Sequence, residues 1–153
     1  MVIEKGSSFL MIKINTDPDI DFYKEHKSIL DNVGFVWFCR FGKPNLRISS
    51  MDKSDNLVFI KDSLKNNNNT YIASFKNITT EKPANGFPYY YCSINKIMGI
   101  WFKLDSLVRV DHNKVNSNFV LTSSGGNLSN AYRSMCNSFY ITNIKDIILN
   151  EPE

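Results

Sequence analysis

The chain has little of what metal centres, disulfide frameworks and membrane spans are made from. Its three cysteines, Cys39, Cys92 and Cys136, are widely separated and odd in number. No CxxC pair and no Cys/His cluster supports a zinc site. They read as reduced, buried thiols. No apolar stretch approaches the roughly 20 residues that span a bilayer. Met1 to Leu10 lacks the charged-then-apolar layout of a secretion signal. The expectation is a cytoplasmic protein without a membrane partner.

Catalytic equipment is equally sparse. There are two histidines, His26 and His112. His26 lies on a helical pattern and reads as a partly exposed helix residue. His112 follows Asp111 in a polar loop and could be a base, with no identifiable nucleophile or partner. No Gly-rich phosphate loop joins a strand to a helix, and Ser123-Ser124-Gly125-Gly126 is too generic for a nucleophile elbow. No paired carboxylates stand at metal spacing. These absences favour binding over catalysis, with no cofactor and no metal.

What is present suffices for one core. The length of 153 residues fits a single domain, 1–153. Hydrophobic residues at 42% and aromatics at 13% argue against disorder. Charge is segregated. Residues 1–34 carry net −2, residues 35–110 net +6 and residues 111–153 net −1. A basic middle suits a nucleic-acid or phosphate surface.

The pattern begins with an apolar lead-in or short strand at 7–14. Asp17 as N-cap, Pro18 and the stop at Gly34 then predict a helix over about 18–33. Phe35 to Phe41 is apolar on both faces, which predicts a central strand. Further strands are expected at Leu57–Ile60, Tyr71–Ile78, Ile100–Leu104 with Leu107–Val110, Phe119–Leu121 and Ser138–Thr142. Leu128, Ala131, Tyr132 and Met135 fall at helical spacing after Asn127. Asn143 is placed to cap a last helical turn through Ile144, Ile147 and Ile148. The class is α+β around one curved mixed sheet flanked by two to three short helices.

Aromatic residues concentrate in or beside the strands. Alternation puts Ile100, Phe102 and Leu104 on one face and Trp101 with Lys103 on the other. A Trp beside a Lys is a candidate stacking platform for a base. Trp37 reads as core, or as the floor of a cage where the sheet opens. Ser74, Asn77, Ser123 and Ser124 are candidates to read a base edge.

The order of these features resembles the PUA-like superfamily, in particular its EVE-like members, which are related to the YTH readers of methylated adenine. The resemblance rests on Phe35–Phe41, Tyr71-Ile-Ala-Ser-Phe-Lys-Asn-Ile78, Phe87-Pro-Tyr-Tyr-Tyr91, Ile100-Trp-Phe-Lys-Leu104, Leu107-Val-Arg-Val110 and Ser138-Phe-Tyr-Ile141. It spans about 34–143, with the helix at 18–33 outside it. It implies a PUA-like barrel and an aromatic cage for a flipped, modified base. By position it implies cage residues Trp37, Tyr71 and Trp101, with Phe41, Ser74 and Phe75 adjacent. Phosphate contacts would come from Arg40, Lys43, Arg47, Lys76 and Lys103. Gly42-Lys43-Pro44 stands where the methyl-adenine readers carry a Lys-Ser pair. The Gly-x-Lys-x-x-Glu-x-Arg signature of the ASCH branch is missing, which counts against a ribonuclease of that type.

The leading expectation is a non-catalytic nucleic-acid-binding module, for DNA or RNA, working alone, as a homo-oligomer or with an effector protein. Two other readings stand beside it. One is a protein-interaction or inhibitory factor of a phage–host conflict system. The other is a small nuclease using Asp111, His112 and Lys43.

Overall fold

The computed structural model describes residues 1–15, 17, 19–41, 56–62, 69–93, 99–134 and 138–150. In chain order the elements are β1 (Val2–Ile3), β2 (Ser8–Ile14), α1 (Phe22–Val33), β3 (Val36–Phe41), β4 (Leu57–Asp62) and β5 (Thr70–Thr79). A 3-10 helix (Tyr89–Ser93) leads to β6 (Gly99–Val110), α2 (His112–Asn118), β7 (Phe119–Leu121), α3 (Leu128–Tyr132), β8 (Ser138–Asn143) and β9 (Ile147–Ile148).

Seven strands form one mixed sheet in the order β3-β6-β5-β4-β2-β8-β7, while β1 and β9 pair separately. The β2–β4 ladder is parallel and the other ladders are antiparallel. Two register shifts in the β5–β6 ladder, at Ser74/Phe75 and Phe75/Asn77, are β-bulges. Bulges increase local twist. Curvature carries the sheet round far enough that Arg40 of β3 donates from Nε to Ser138 Oγ of β8 at 2.5 Å, although four strands lie between them in the order. That contact is through side chains. No backbone ladder joins β3 to β8 or β7 among the described residues, so the described strands form an open, curved mixed sheet, one side-chain contact short of the barrel that the resemblance implies.

Both faces are covered. On one, α1 lays Phe22 and Leu30 onto Leu10, Ile12, Val36, Phe38, Ile60, Phe75 and Phe102. Phe22, His26 and Leu30 recur every four residues, which puts them on one side of the helix. On the opposite face α2, β7 and α3 supply Val115, Phe119 and Leu128 to a second cluster with Phe9, Met11, Phe59, Ile72 and Ile141. A third, aromatic cluster of Cys39, Tyr91 and Trp101 lies beneath the 3-10 segment.

Several sequence expectations change. Helix α1 begins after Asp21, whose carboxylate accepts from the Lys24 amide. Asp17 instead accepts from the Asp19 amide, an Asx turn outside the helix. Gly34 ends the helix as expected, at φ +92°. Strand β3 is at the sheet edge and not central. It reads as doubly apolar because both its faces are packed, Val36 and Phe38 against α1 and Trp37 and Cys39 against the cluster of Tyr91 and Trp101; on its outer edge the Trp37 amide donates to the Gly86 carbonyl at 2.7 Å. The stretch after Asp111 is helical, because that carboxylate caps α2 through the Asn113 and Lys114 amides. Val115 is its only buried apolar residue, too weak a signal for periodicity. The helical turn expected over Ile144, Ile147 and Ile148 is not formed. The Asn143 side-chain amide donates to the Ile3 and Lys145 carbonyls, and Ile147 and Ile148 pair with β1. Helix α3 spans Leu128–Tyr132 only, and Met135 lies outside the described residues. Cys39 is buried but Cys92 is exposed, and Cys136 lies outside the described residues.

One glycine sits where the backbones approach most closely. A Cβ on Gly99 would lie 2.4 Å from the Arg40 carbonyl oxygen. Backbone cannot swing aside as a side-chain tip can, so Gly99→Ala must prise apart the start of the β3–β6 ladder. The expected loss is about 3 kcal/mol. Urea denaturation measures it, and a change below about 0.5 kcal/mol would show that β3 and β6 are not this close.

Candidate functional site

Strand alternation decides where each candidate side chain falls. In β3 Val36, Phe38 and Arg40 face α1 and Trp37 and Cys39 face away, as the core clusters record. In β4 Val58, Ile60 and Asp62 share the α1 face by the same alternation, and Phe59 belongs to the opposite cluster. Asp62 pairs in register with Ile14, two residues beyond Ile12, which pairs with Ser138. Arg40, Asp62 and Ser138 therefore come to one end of the α1 face.

This end is where the apolar face turns polar. Arg40 is 6% exposed and Asp62 5% exposed. Tyr71 is buried on the same face, and Tyr23 of α1 stacks on it at 5.7 Å and 11°. Burial pushes the Tyr71 hydroxyl up to about 12, with the Asp62 and Asp21 carboxylates adding to the shift. Tyr90, from the 3-10 segment, is raised by burial, and Glu25 and Asp62 add to it. Asp62 thus lies within electrostatic reach of both hydroxyls, and both remain protonated at neutral pH. A guanidinium fork, a carboxylate, a serine hydroxyl and two neutral phenols offer donors and acceptors together, walled by aromatic rings.

Beside this end is a buried relay. His26 is 0% exposed, which corrects the partly exposed reading. Its Nδ1–H donates to the Phe22 carbonyl at 2.9 Å, so Nε2 accepts from the Tyr91 hydroxyl, also at 2.9 Å. Burial holds His26 down at about 4 against its usual 6.5. Sequence reasoning missed this pair because they are 65 residues apart. Only the tertiary fold brings the 3-10 segment against α1.

The cage suggested by resemblance does not assemble. Trp37 and Trp101 share one face of the sheet, and Tyr71 and Phe75 lie in the core on the other. Trp101 does share its face with Lys103, as alternation required, but it is 0% exposed. Phe87 and Tyr91 each lie 5.6 Å from its ring and cover it. It offers no surface for stacking. Burial also pushes the neighbouring Cys39 thiol up to about 12, so it is not a nucleophile at neutral pH.

The remaining candidates are dispersed. Lys103 Nζ sits 4.4 Å from the Phe35 ring centroid and 6.0 Å from that of half-buried Trp37. Lys76 is exposed on β5. Ser74 bonds to Asp105 and Ser106 at the bulge, away from the Arg40 end. Phe41 is the last residue of β3, and its side chain lies outside the described set, as do Lys43 and Arg47. Among the described residues no group of three His, Cys, Asp or Glu converges as a metal site. No described helix is long and apolar enough to cross a membrane. No protein-family model, curated protein or solved structure matches the chain.

Proposed function

We propose that the chain is a non-catalytic nucleic-acid-binding module that reads a base at the polar end of the α1 face. The observation that carries the reading is the buried charge there. A few polar groups of both signs gathered at one end of an otherwise apolar, aromatic face are the make-up of a small-ligand site. The chemistry fits a flat heterocycle with donors and acceptors on its edge. Asp62 accepts from an exocyclic amine, Arg40 donates to ring nitrogen or carbonyl oxygen, and the tyrosines supply stacking surface. The order of strands and aromatic residues along the sequence, which resembles that of PUA-like domains, is what suggests a flipped, modified base as ligand. Flipping costs a few kcal/mol, which stacking at about 1–3 kcal/mol per base and Lys contacts to phosphate offset.

Titration with short oligonucleotides, single- and double-stranded, with and without modified bases, tests this by Trp fluorescence at two salt concentrations. The expected result is saturable, salt-sensitive binding that prefers one base. Asp62→Asn and Arg40→Met should each reduce that preference at least tenfold, with circular dichroism unchanged. Equal affinity for every oligonucleotide, or none, would discard the base-reading assignment and move the protein-partner reading forward.

A further inference from the structure

On the opposite face of the sheet, four polar side chains from four separate elements come together: Lys61, Thr70, His112 and Tyr132. Lys61 of β4 is 5% exposed, and its Nζ lies 5.5 Å from the Tyr132 ring centroid. It donates to the Asp62 carbonyl at 2.6 Å. The His112 ring, at the start of α2, lies 5.8 Å from the Tyr132 ring. Its Nδ1 is 3.0 Å from Oγ1 of fully buried Thr70, which leaves Nε2 as its other hydrogen-bonding atom. The Tyr132 hydroxyl is itself buried and has no partner among the described residues.

The surroundings add positive charge. Lys13, the register partner of Lys61, donates to the Ala131 carbonyl at 2.9 Å and the Ser134 carbonyl at 2.6 Å, which holds the end of α3 in place. The nearest carboxylate along the chain from His112, Asp111, is exposed and spent on the α2 cap. The Asp62 carboxylate lies on the α1 face but acts on the Lys61 ammonium, as Asp111 acts on His112, and each favours the charged form that an anion needs. An orphaned buried hydroxyl costs about 1–3 kcal/mol, and natural folds rarely leave one without a reason.

We infer that this cluster is a phosphoryl-binding site. Lys61 Nζ, His112 Nε2 and the Tyr132 hydroxyl are donors to three oxygens of one tetrahedral dianion, and Lys61 and Lys13 supply its counter-charge. The site takes inorganic phosphate or the terminal phosphate of a larger molecule. It does not rest on the base-reading proposal, which concerns the other face.

The two histidines make the test direct. Their ring protons are followed by NMR during titration with inorganic phosphate, against chloride at matched ionic strength. A saturable shift of His112 with His26 unmoved is expected. Lys61→Met should weaken it tenfold or more, and Tyr132→Phe should weaken it with the fold intact, as an unchanged His26 signal reports. If Lys61→Met does not fold, Tyr132→Phe decides alone. No saturable His112 shift at tens of millimolar phosphate, or one that persists unaltered in the folded variants, would overturn the site. A 5′-phosphorylated dinucleotide compared with its 5′-hydroxyl form separates the sources. Tighter binding of the phosphorylated form assigns a terminal phosphate, and equal or weaker binding assigns the free anion.

Discussion

Trp101→Ala is expected to remove about 3–5 kcal/mol of folding stability, the range for deleting a fully buried large aromatic. Its ring has no exposed surface and packs between Phe87 and Tyr91 beneath the 3-10 segment. Deletion leaves a void that β6, held by ladders on both sides, cannot collapse into. Trp101→Phe keeps most of the contact and should cost roughly half as much. The indole N–H has no partner among the described residues, so replacing it with a ring edge leaves no new polar group unsatisfied. Chemical denaturation at neutral pH measures both variants. A stable Trp101→Ala protein that has selectively lost oligonucleotide binding would reinstate Trp101 as a stacking platform and contradict its burial. A change below about 1 kcal/mol would show that the 3-10 segment does not cover it.

Stability is expected to fall by about 3 kcal/mol as pH drops from 6.5 to 4, through His26 alone. The unfolded chain protonates this imidazole near its ordinary 6.5, while burial holds the folded-state value at about 4. Between those values the unfolded state binds more protons, so acid favours it. The His26 contribution is complete above the upper value and exhausted below the lower one. A proton arriving on Nε2 would also remove the acceptor that the Tyr91 hydroxyl uses. His112 is lowered by burial and by Lys61, and it contributes in the same direction. Urea midpoints taken at intervals from pH 7.5 to 4 measure the slope. In His26→Gln it should flatten, alongside a loss of about 1–3 kcal/mol at pH 7.5 for the disrupted hydrogen bonds. An identical slope in that variant would show that His26 is accessible and titrates normally.

Much of the secondary structure is legible because it depends on local pattern. Gly34 must end a helix, since a left-handed residue there favours glycine. Alternation in Ile100–Leu104 assigns each side chain to its face whatever the partners are. What alternation cannot say is how far apart two strands stand in the sheet. Resemblance grouped Trp37, Tyr71 and Trp101, but the sheet itself separates Tyr71 from the two tryptophans. The Arg40–Ser138 bond spans 98 residues of sequence, and no periodicity encodes it.

The sequence by itself determined an α+β domain rich in apolar and aromatic residues, with a basic middle, the strands of β3 to β8 and the amphipathic α1. These follow from nearest-neighbour sterics and from the 3.6 and 2.0 residue periods, which act within a few residues. Only the tertiary structure decided that β3 is an edge, that Trp101 is core, and that His26 meets Tyr91. It alone brought Arg40, Asp62 and Ser138 to one end of the α1 face. Burial and partnership depend on which distant segments pack together, and a chain folded back over both sheet faces sets that globally.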